Sequence, residues 1–141
     1  MRFAGLKWTY IPDPRINESQ TVPLPFTIGR LPGNDIILKQ PGGGVSREHA
    51  RIVWEENKPV LYDLHSTNGT IIDGHRSERF DLRSGSRIKI GNYEISFVLL
   101  VRCQRYNCRR LICDEDTFCP WCGQFSADAA TRHGQVGRLS S

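Results

Sequence analysis

Two sets of residues in this 141-residue chain carry recognisable chemistry. The first is spread over three short motifs. Thr27-Ile28-Gly29-Arg30 is followed by Ser46-Arg47-Glu48-His49-Ala50 and then by Ser66-Thr67-Asn68-Gly69-Thr70. Arg30 offers a planar guanidinium that stays charged at any physiological pH and can grip two phosphate oxygens as a fork. Ser46 and Thr67 add neutral hydroxyl donors, and Arg47 adds a second charge or its backbone N–H. Asn68 carries both a donor and an acceptor and so can pair with a peptide main chain. Ser46, His49 and Asp63 also contain the residue types of a hydrolase triad. No nucleophile elbow or oxyanion-hole motif accompanies them, so His49 reads as a brace bonded to neighbouring backbone.

The second set is five cysteines, all between positions 103 and 122. An odd, clustered set of thiols reads as a metal site and not as a disulfide framework. Cys103 and Cys108 form one pair, and Cys119-Pro120-Trp121-Cys122-Gly123 is a tight knuckle that supplies the other. Two pairs separated by a hairpin-sized insert are what a tetrahedral, four-thiolate zinc ion requires. Cys113 falls within the insert and is left out of this set. The rival set uses Cys113 in place of Cys103.

These residues need a scaffold to bring them together. Helical periodicity is nearly absent before residue 124. Short β-rich runs alternate with Gly, Pro, Asn and Asp, which predicts an all-β sandwich. Strands are expected over 3–11, 36–38, 50–54, 59–64, 70–72, 87–90 and 93–101, with an extended edge segment over 21–28. Residues 12–18 read as a loop, and the Pro-Gly-Gly-Gly run at 41–44 as a flexible one. Asn68-Gly69, Asp73-Gly74, Ser84-Gly85 and Gly91-Asn92 are turn signals. The segment 126–141, poor in large apolar groups, is expected to be disordered.

Whole-chain properties narrow the field. Hydrophobic content of 38% suits a folded core, and the net charge of +4 is compatible with a phosphorylated or acidic partner. No apolar run is long enough to cross a membrane, and Lys7 interrupts any secretory signal, so a cytoplasmic location is expected.

Taken in order, the motifs resemble the forkhead-associated (FHA) domain. The likeness runs through Ile28-Gly29-Arg30, Asn34-Asp35-Ile36, the Ser46 to Ala50 motif, Tyr62-Asp63-Leu64, the Ser66 to Thr70 motif and Leu82-Arg83-Ser84-Gly85-Ser86. It implies a β-sandwich of about eleven strands over residues 1–100, whose loops at one end recognise phosphothreonine. It also implies phosphate contacts from Arg30, Ser46, Arg47 and Thr67, a peptide-backbone contact from Asn68, and support from Gly29, His49 and Gly69. Residues 101–124 resemble a small zinc ribbon with a structural zinc ion on Cys103, Cys108, Cys119 and Cys122, although the first pair has four intervening residues where ribbons usually have two. The function expected is a non-catalytic adaptor that binds a threonine-phosphorylated protein, such as a Ser/Thr protein kinase or its substrate, with the zinc module as a second contact. The alternative is a zinc-ribbon nucleic-acid binder whose β-domain is a structural or dimerisation scaffold. Thr131, in the 125–141 tail, is a candidate phosphorylation site for another copy of the domain.

Overall fold

The computed structural model describes residues 2–105, 108–116 and 118–123. The tail at 125–141, with Thr131, lies outside the described residues. Among those described there are twelve β-strands and no helix. Eleven strands precede the cysteine segment: β1 (Phe3–Tyr10), β2 (Asn17–Pro23), β3 (Phe26–Gly29), β4 (Ile36–Ile37), β5 (Ala50–Glu55), β6 (Lys58–Asp63), β7 (Thr70–Ile72), β8 (His75–Ser77), β9 (Arg79–Asp81), β10 (Arg87–Ile90) and β11 (Tyr93–Arg102). The twelfth, β12 (Leu111–Cys113), belongs to the cysteine segment.

The strands form two sheets. One runs β2-β1-β11-β10-β7-β8, with β12 added beside the far end of β11; the other runs β4-β3-β5-β6-β9. Strand alternation supplies the core between them. Ala4, Leu6 and Trp8 of β1 turn inward, as do Tyr93, Ile95, Phe97 and Leu99 of β11. Phe26 and Ile28 of β3, Ala50 and Ile52 of β5 and Leu61 of β6 meet them from the opposite sheet. Each fully buried large apolar side chain contributes roughly 1.5–3 kcal/mol relative to leaving it in water. This core makes the frame stiff enough to hold loops at fixed separations.

The structure revises three local expectations. The 21–28 segment is not one extended piece. It breaks between β2 and β3, where the chain leaves one sheet for the other, because neither Pro23 nor Pro25 has an N–H with which to continue a ladder. Strand β2 starts at Asn17, inside the segment expected to be a loop, since its pairing with β1 reaches Asn17 opposite Thr9. The 41–44 segment is anchored: Asn92 donates its backbone N–H to the Gly43 carbonyl at 2.7 Å and its side-chain amide to Gly42 at 3.3 Å. The Tyr93 hydroxyl accepts the Gln40 N–H at 2.9 Å beside it.

Candidate functional site

The three motifs converge at one end of the sandwich. Arg30 leaves the end of β3, Ser46 and Arg47 lie in the connection between β4 and β5, and Thr67 and Asn68 lie between β6 and β7. Together they line a single open cleft of about 840 Å³, with residues 42–44 as a further wall and Leu31, Glu48 and His65 at its margin. All five side chains expected to bind a phosphopeptide are in this lining.

The loops are pinned to one another by hydrogen bonds that leave ligand-binding capacity unused. The Arg30 backbone N–H reaches the carbonyls of Ser46 and Arg47 at 3.0 and 3.2 Å. Its side-chain Nε donates to the Val45 carbonyl at 3.3 Å, and among the described residues no carboxylate pairs with the guanidinium. One nitrogen of the fork is thus anchored while the two terminal nitrogens remain available. Ser46 Oγ accepts the Thr67 N–H at 3.0 Å, so its own proton is left to donate elsewhere. Asn68 uses one amide proton on the Gly44 carbonyl at 3.0 Å, which leaves its carbonyl oxygen as an acceptor.

Support comes from below. His49 is fully buried. Its Nδ1 accepts the Ser46 N–H at 3.0 Å, and its Nε2 lies 2.9 Å from the Gly69 carbonyl, so Nε2 carries the proton and donates it. One ring therefore joins the second loop to the third. No hydrolytic relay exists here, because the imidazole bonds the backbone of Ser46 and not its hydroxyl. Burial holds His49 below the ordinary imidazole value, against the Gly69 carbonyl and the Asp63 charge, which both favour the proton. Asp63 accepts from Ser66 Oγ at 2.6 Å, Thr70 Oγ1 at 2.7 Å and the Ser66 N–H at 2.9 Å. Burial works to raise its pKa, but these hydrogen bonds outweigh it and the net shift is downward.

Gly29 is required for close approach and not for an unusual φ: a Cβ there would run into the Arg47 carbonyl oxygen and the Asn34 amide. Asn34 was not among the support residues expected. Buried, it donates to the Leu31 and Arg47 carbonyls at 2.9 and 2.8 Å and staples the first loop to the second. The Asn34-Asp35-Ile36 motif was the signal that marks it. The glycine wall at 42–44 had no local signal, because its anchors at Asn92 and Tyr93 lie about fifty residues further along the chain.

At the opposite end, the Sγ atoms of Cys103, Cys108, Cys119 and Cys122 all lie within 4.8 Å of one another. Cys103 and Cys122 are 3.5 Å apart, and Cys108 and Cys119 are 3.7 Å apart. Zn–S bonds of about 2.3 Å in a tetrahedron place sulfurs roughly 3.8 Å apart, so the cluster has the dimensions to hold a metal ion. Cys113 is outside it, with its Sγ 3.8 Å from Ser84 Oγ and from Asp114 Oδ1. Burial pushes the Cys103 thiol up to about 12. Burial also acts to raise Cys119, but the Trp121 and Cys122 N–H groups and its thiol neighbours bring it down to about 7. Four thiolates this close repel one another unless a cation lies between them.

The cysteine segment is stitched to the sandwich. β11 continues past residue 100 to Arg102, and β12 pairs with it from Leu100 opposite Cys113 to Arg102 opposite Leu111. Ser84 Oγ lies 2.5 Å from Asp114 Oδ1 and accepts the Leu99 N–H at 2.9 Å. Val101, Cys103, Ile112 and Cys119 form a small second core.

A β-sandwich whose binding cleft is made by its loops, with the sheets as frame, is the class that fold and site define. Residues 26–91 match the FHA domain family model, and the fold of the sandwich is FHA-like. A relative, the FHA domain-containing protein FhaA of Mycobacterium tuberculosis, is 40% identical over 68 residues, which is 48% of this chain and 12% of FhaA. The chain thus spans about an eighth of that relative's length. The solved FhaA FHA domain, in complex with the intracellular domain of Rv3910, superposes with a TM-score of 0.55 at 28% identity, covering 69% of this chain and 99% of that one. An FHA domain solved in an analysis of phosphothreonine-dependent interactions gives a TM-score of 0.55 at 29% identity, covering 66% of this chain and 94% of that one. Among the described residues no helix is long and apolar enough to cross a membrane.

Proposed function

We propose that this chain is a non-catalytic reader of phosphothreonine peptides in Ser/Thr kinase signalling, with a structural zinc ion on Cys103, Cys108, Cys119 and Cys122. One observation carries the reading: side chains from three separate loops line one cleft while the Arg30 guanidinium keeps two nitrogens unpaired beside it. A phosphothreonine brings a charge of about −1.5 to −2 and three strong acceptor oxygens. Arg30 and Arg47 supply charge, Ser46 and Thr67 supply hydroxyl protons, and the Asn68 amide oxygen takes an N–H of the peptide backbone. Each charge-assisted bond contributes roughly 1.5–3 kcal/mol. Three or four of them, less the cost of desolvation and ordering, give an affinity near micromolar, or about −8 kcal/mol. The sandwich over 1–100 does the reading, and the module over 101–124 serves a second interaction. Its four sulfurs fill a tetrahedral shell, which leaves no open position for a substrate and suits a metal that holds structure.

The test is a phosphothreonine peptide-library pull-down with the wild-type protein and Arg30→Ala. Phosphate-dependent capture by the wild type, lost in a variant with an unchanged melting curve, is the expected result. Capture of unphosphorylated peptides with equal efficiency would defeat the reading.

Nucleic-acid binding by the cysteine module is the second reading. It is favoured by Trp121, which is 62% exposed and stacked under Arg110 at 4.8 Å, a geometry that base-stacking proteins use. Affinity for single-stranded RNA or DNA that falls steeply with salt would support it.

A further inference from the structure

His65 and Glu48 are the ionisable members of the cleft lining that the phosphate reading leaves unused, and of the two only the histidine can donate to a phosphate. It sits between Leu64 and Ser66 with φ of 55°, in the left-handed region. That conformation is uncommon for any residue with a side chain, although His, Asn and Asp adopt it more readily than most. The Asp63 carboxylate imposes it: by taking both the N–H and the hydroxyl of Ser66, it folds the chain back tightly over residue 65. The imidazole is exposed and lines two cavities at once, the phosphate cleft and an adjoining pocket of about 380 Å³ that also contains Arg76 and Glu78. Among the described residues no hydrogen bond or ion pair occupies the ring. His49 offers the contrast, since both of its nitrogens are taken by backbone.

We propose that His65 is a further phosphate-facing donor, one that takes up a proton when a phosphothreonine docks beside it. The inference rests on the phosphothreonine reading of the cleft and adds a pH dependence to it. The charged and titratable groups around His65 set the direction. From the cleft side come Arg30, Arg47 and Glu48; from the pocket side come Asp63, Arg76 and Glu78; His49 lies beneath, buried and bonded. A docked dianion favours the protonated imidazole, because an opposite charge within about 4–6 Å stabilises the charged form. Proton uptake and phosphate binding are then linked, and each strengthens the other.

The experiment measures the dissociation constant of one library-selected phosphothreonine peptide for the wild type and for His65→Asn between pH 6.0 and 8.5. Asn tolerates the left-handed conformation, and a melting curve checks that the variant is folded. A one-unit upward shift on binding, the lower end of what a neighbouring opposite charge produces, makes the variant-to-wild-type ratio of dissociation constants rise by up to about tenfold as pH falls across this range. The phosphate's own second ionisation affects both proteins alike and cancels in the ratio. In the wild type, the His65 Cε1–H resonance at pH 7.5, assigned by its loss in the variant, moves toward the imidazolium position when peptide is added. A ratio that stays constant with pH, or a resonance that does not move, overturns the proposal while leaving the cleft's function intact. Failure of the wild type to bind any phosphothreonine peptide at any pH overturns both.

Discussion

Removing His49 is the most demanding trial of how the cleft is built. In His49→Ala the Ser46 N–H loses its acceptor and the Gly69 carbonyl loses its donor, both beneath a fully buried ring. Each orphaned group costs about 1–3 kcal/mol, and the void adds roughly another 1–2 kcal/mol, for a loss of about 3–8 kcal/mol. At about 3–4 °C per kcal/mol for a chain of this size, the midpoint should fall by roughly 10–30 °C. His49→Asn places an amide oxygen near the Nδ1 position, restores the Ser46 contact without the Gly69 contact, and should fall in between. Calorimetry gives the midpoints, and peptide titration well below them should show weaker binding in the same order, because Ser46 and Thr67 drift apart when their brace is lost. The wild type adds a pH test. Burial depresses the folded-state pKa of His49, so the unfolded chain binds that proton first as pH falls. The stability it contributes is complete above about pH 6.5 and is lost as pH falls toward the lower folded-state value. The depressed pKa of Asp63 adds a second loss at more acid pH, below about 3.8, that is absent in Asp63→Asn. An alanine variant melting within about 3 °C of the wild type, a difference of under 1 kcal/mol, would refute the brace and with it this account of how the loops keep their spacing.

Two further outcomes follow from the same geometry. Gly29→Ala forces a methyl group against the Arg47 carbonyl and the Asn34 amide; it should destabilise by about 1–3 kcal/mol and weaken phosphopeptide binding, read by calorimetry and fluorescence anisotropy. Metal analysis of the purified chain should give one zinc per molecule, lost in Cys119→Ser, while Cys113→Ser keeps it, since Cys113 lies outside the four-sulfur cluster. Retention of full zinc by Cys119→Ser, or its loss in Cys113→Ser, would reassign the ligands.

What the sequence made legible was mostly local. That Arg30, Ser46, Arg47, Thr67 and Asn68 come to line one cleft could be expected, because each sits within a short motif whose turn chemistry is written in its neighbours, and the strand alternation between motifs pointed to the sandwich. Among the cysteines, the knuckle marked Cys119 and Cys122, but spacing left Cys103 and Cys113 as rivals, and only the fold sets Cys113 outside the cluster. The features that escaped depend on distant partners. Residues 41–44 look flexible by composition and become a wall only because Asn92 and Tyr93 hold them from the β10–β11 hairpin. Strand β8, with His75, Arg76 and Ser77 all exposed, has no apolar alternation to reveal it and exists through its pairing with β7. The left-handed turn at His65 follows from the Asp63 carboxylate, a side-chain contact that propensity does not encode.

The long strand β11 relates the two sites. It starts at Tyr93, whose hydroxyl braces the wall of the cleft, and ends at Arg102, one residue before the first clustered cysteine. Ten residues at about 3.4 Å each separate the two ends by roughly 30 Å. A charge at one end is screened from the other over a Debye length of about 8 Å, so a phosphate bound in the cleft and a metal held by the cysteines would not sense each other electrostatically. What they share is the frame. The cysteine cluster closes the end of the sandwich through β12 and the Ser84–Asp114 contact, and the same β11 backbone carries the anchor of the cleft. Communication between the sites must therefore pass through the stability of the sandwich as a whole. A metal that binds only the folded chain raises that stability by mass action without altering the geometry of a cleft already formed.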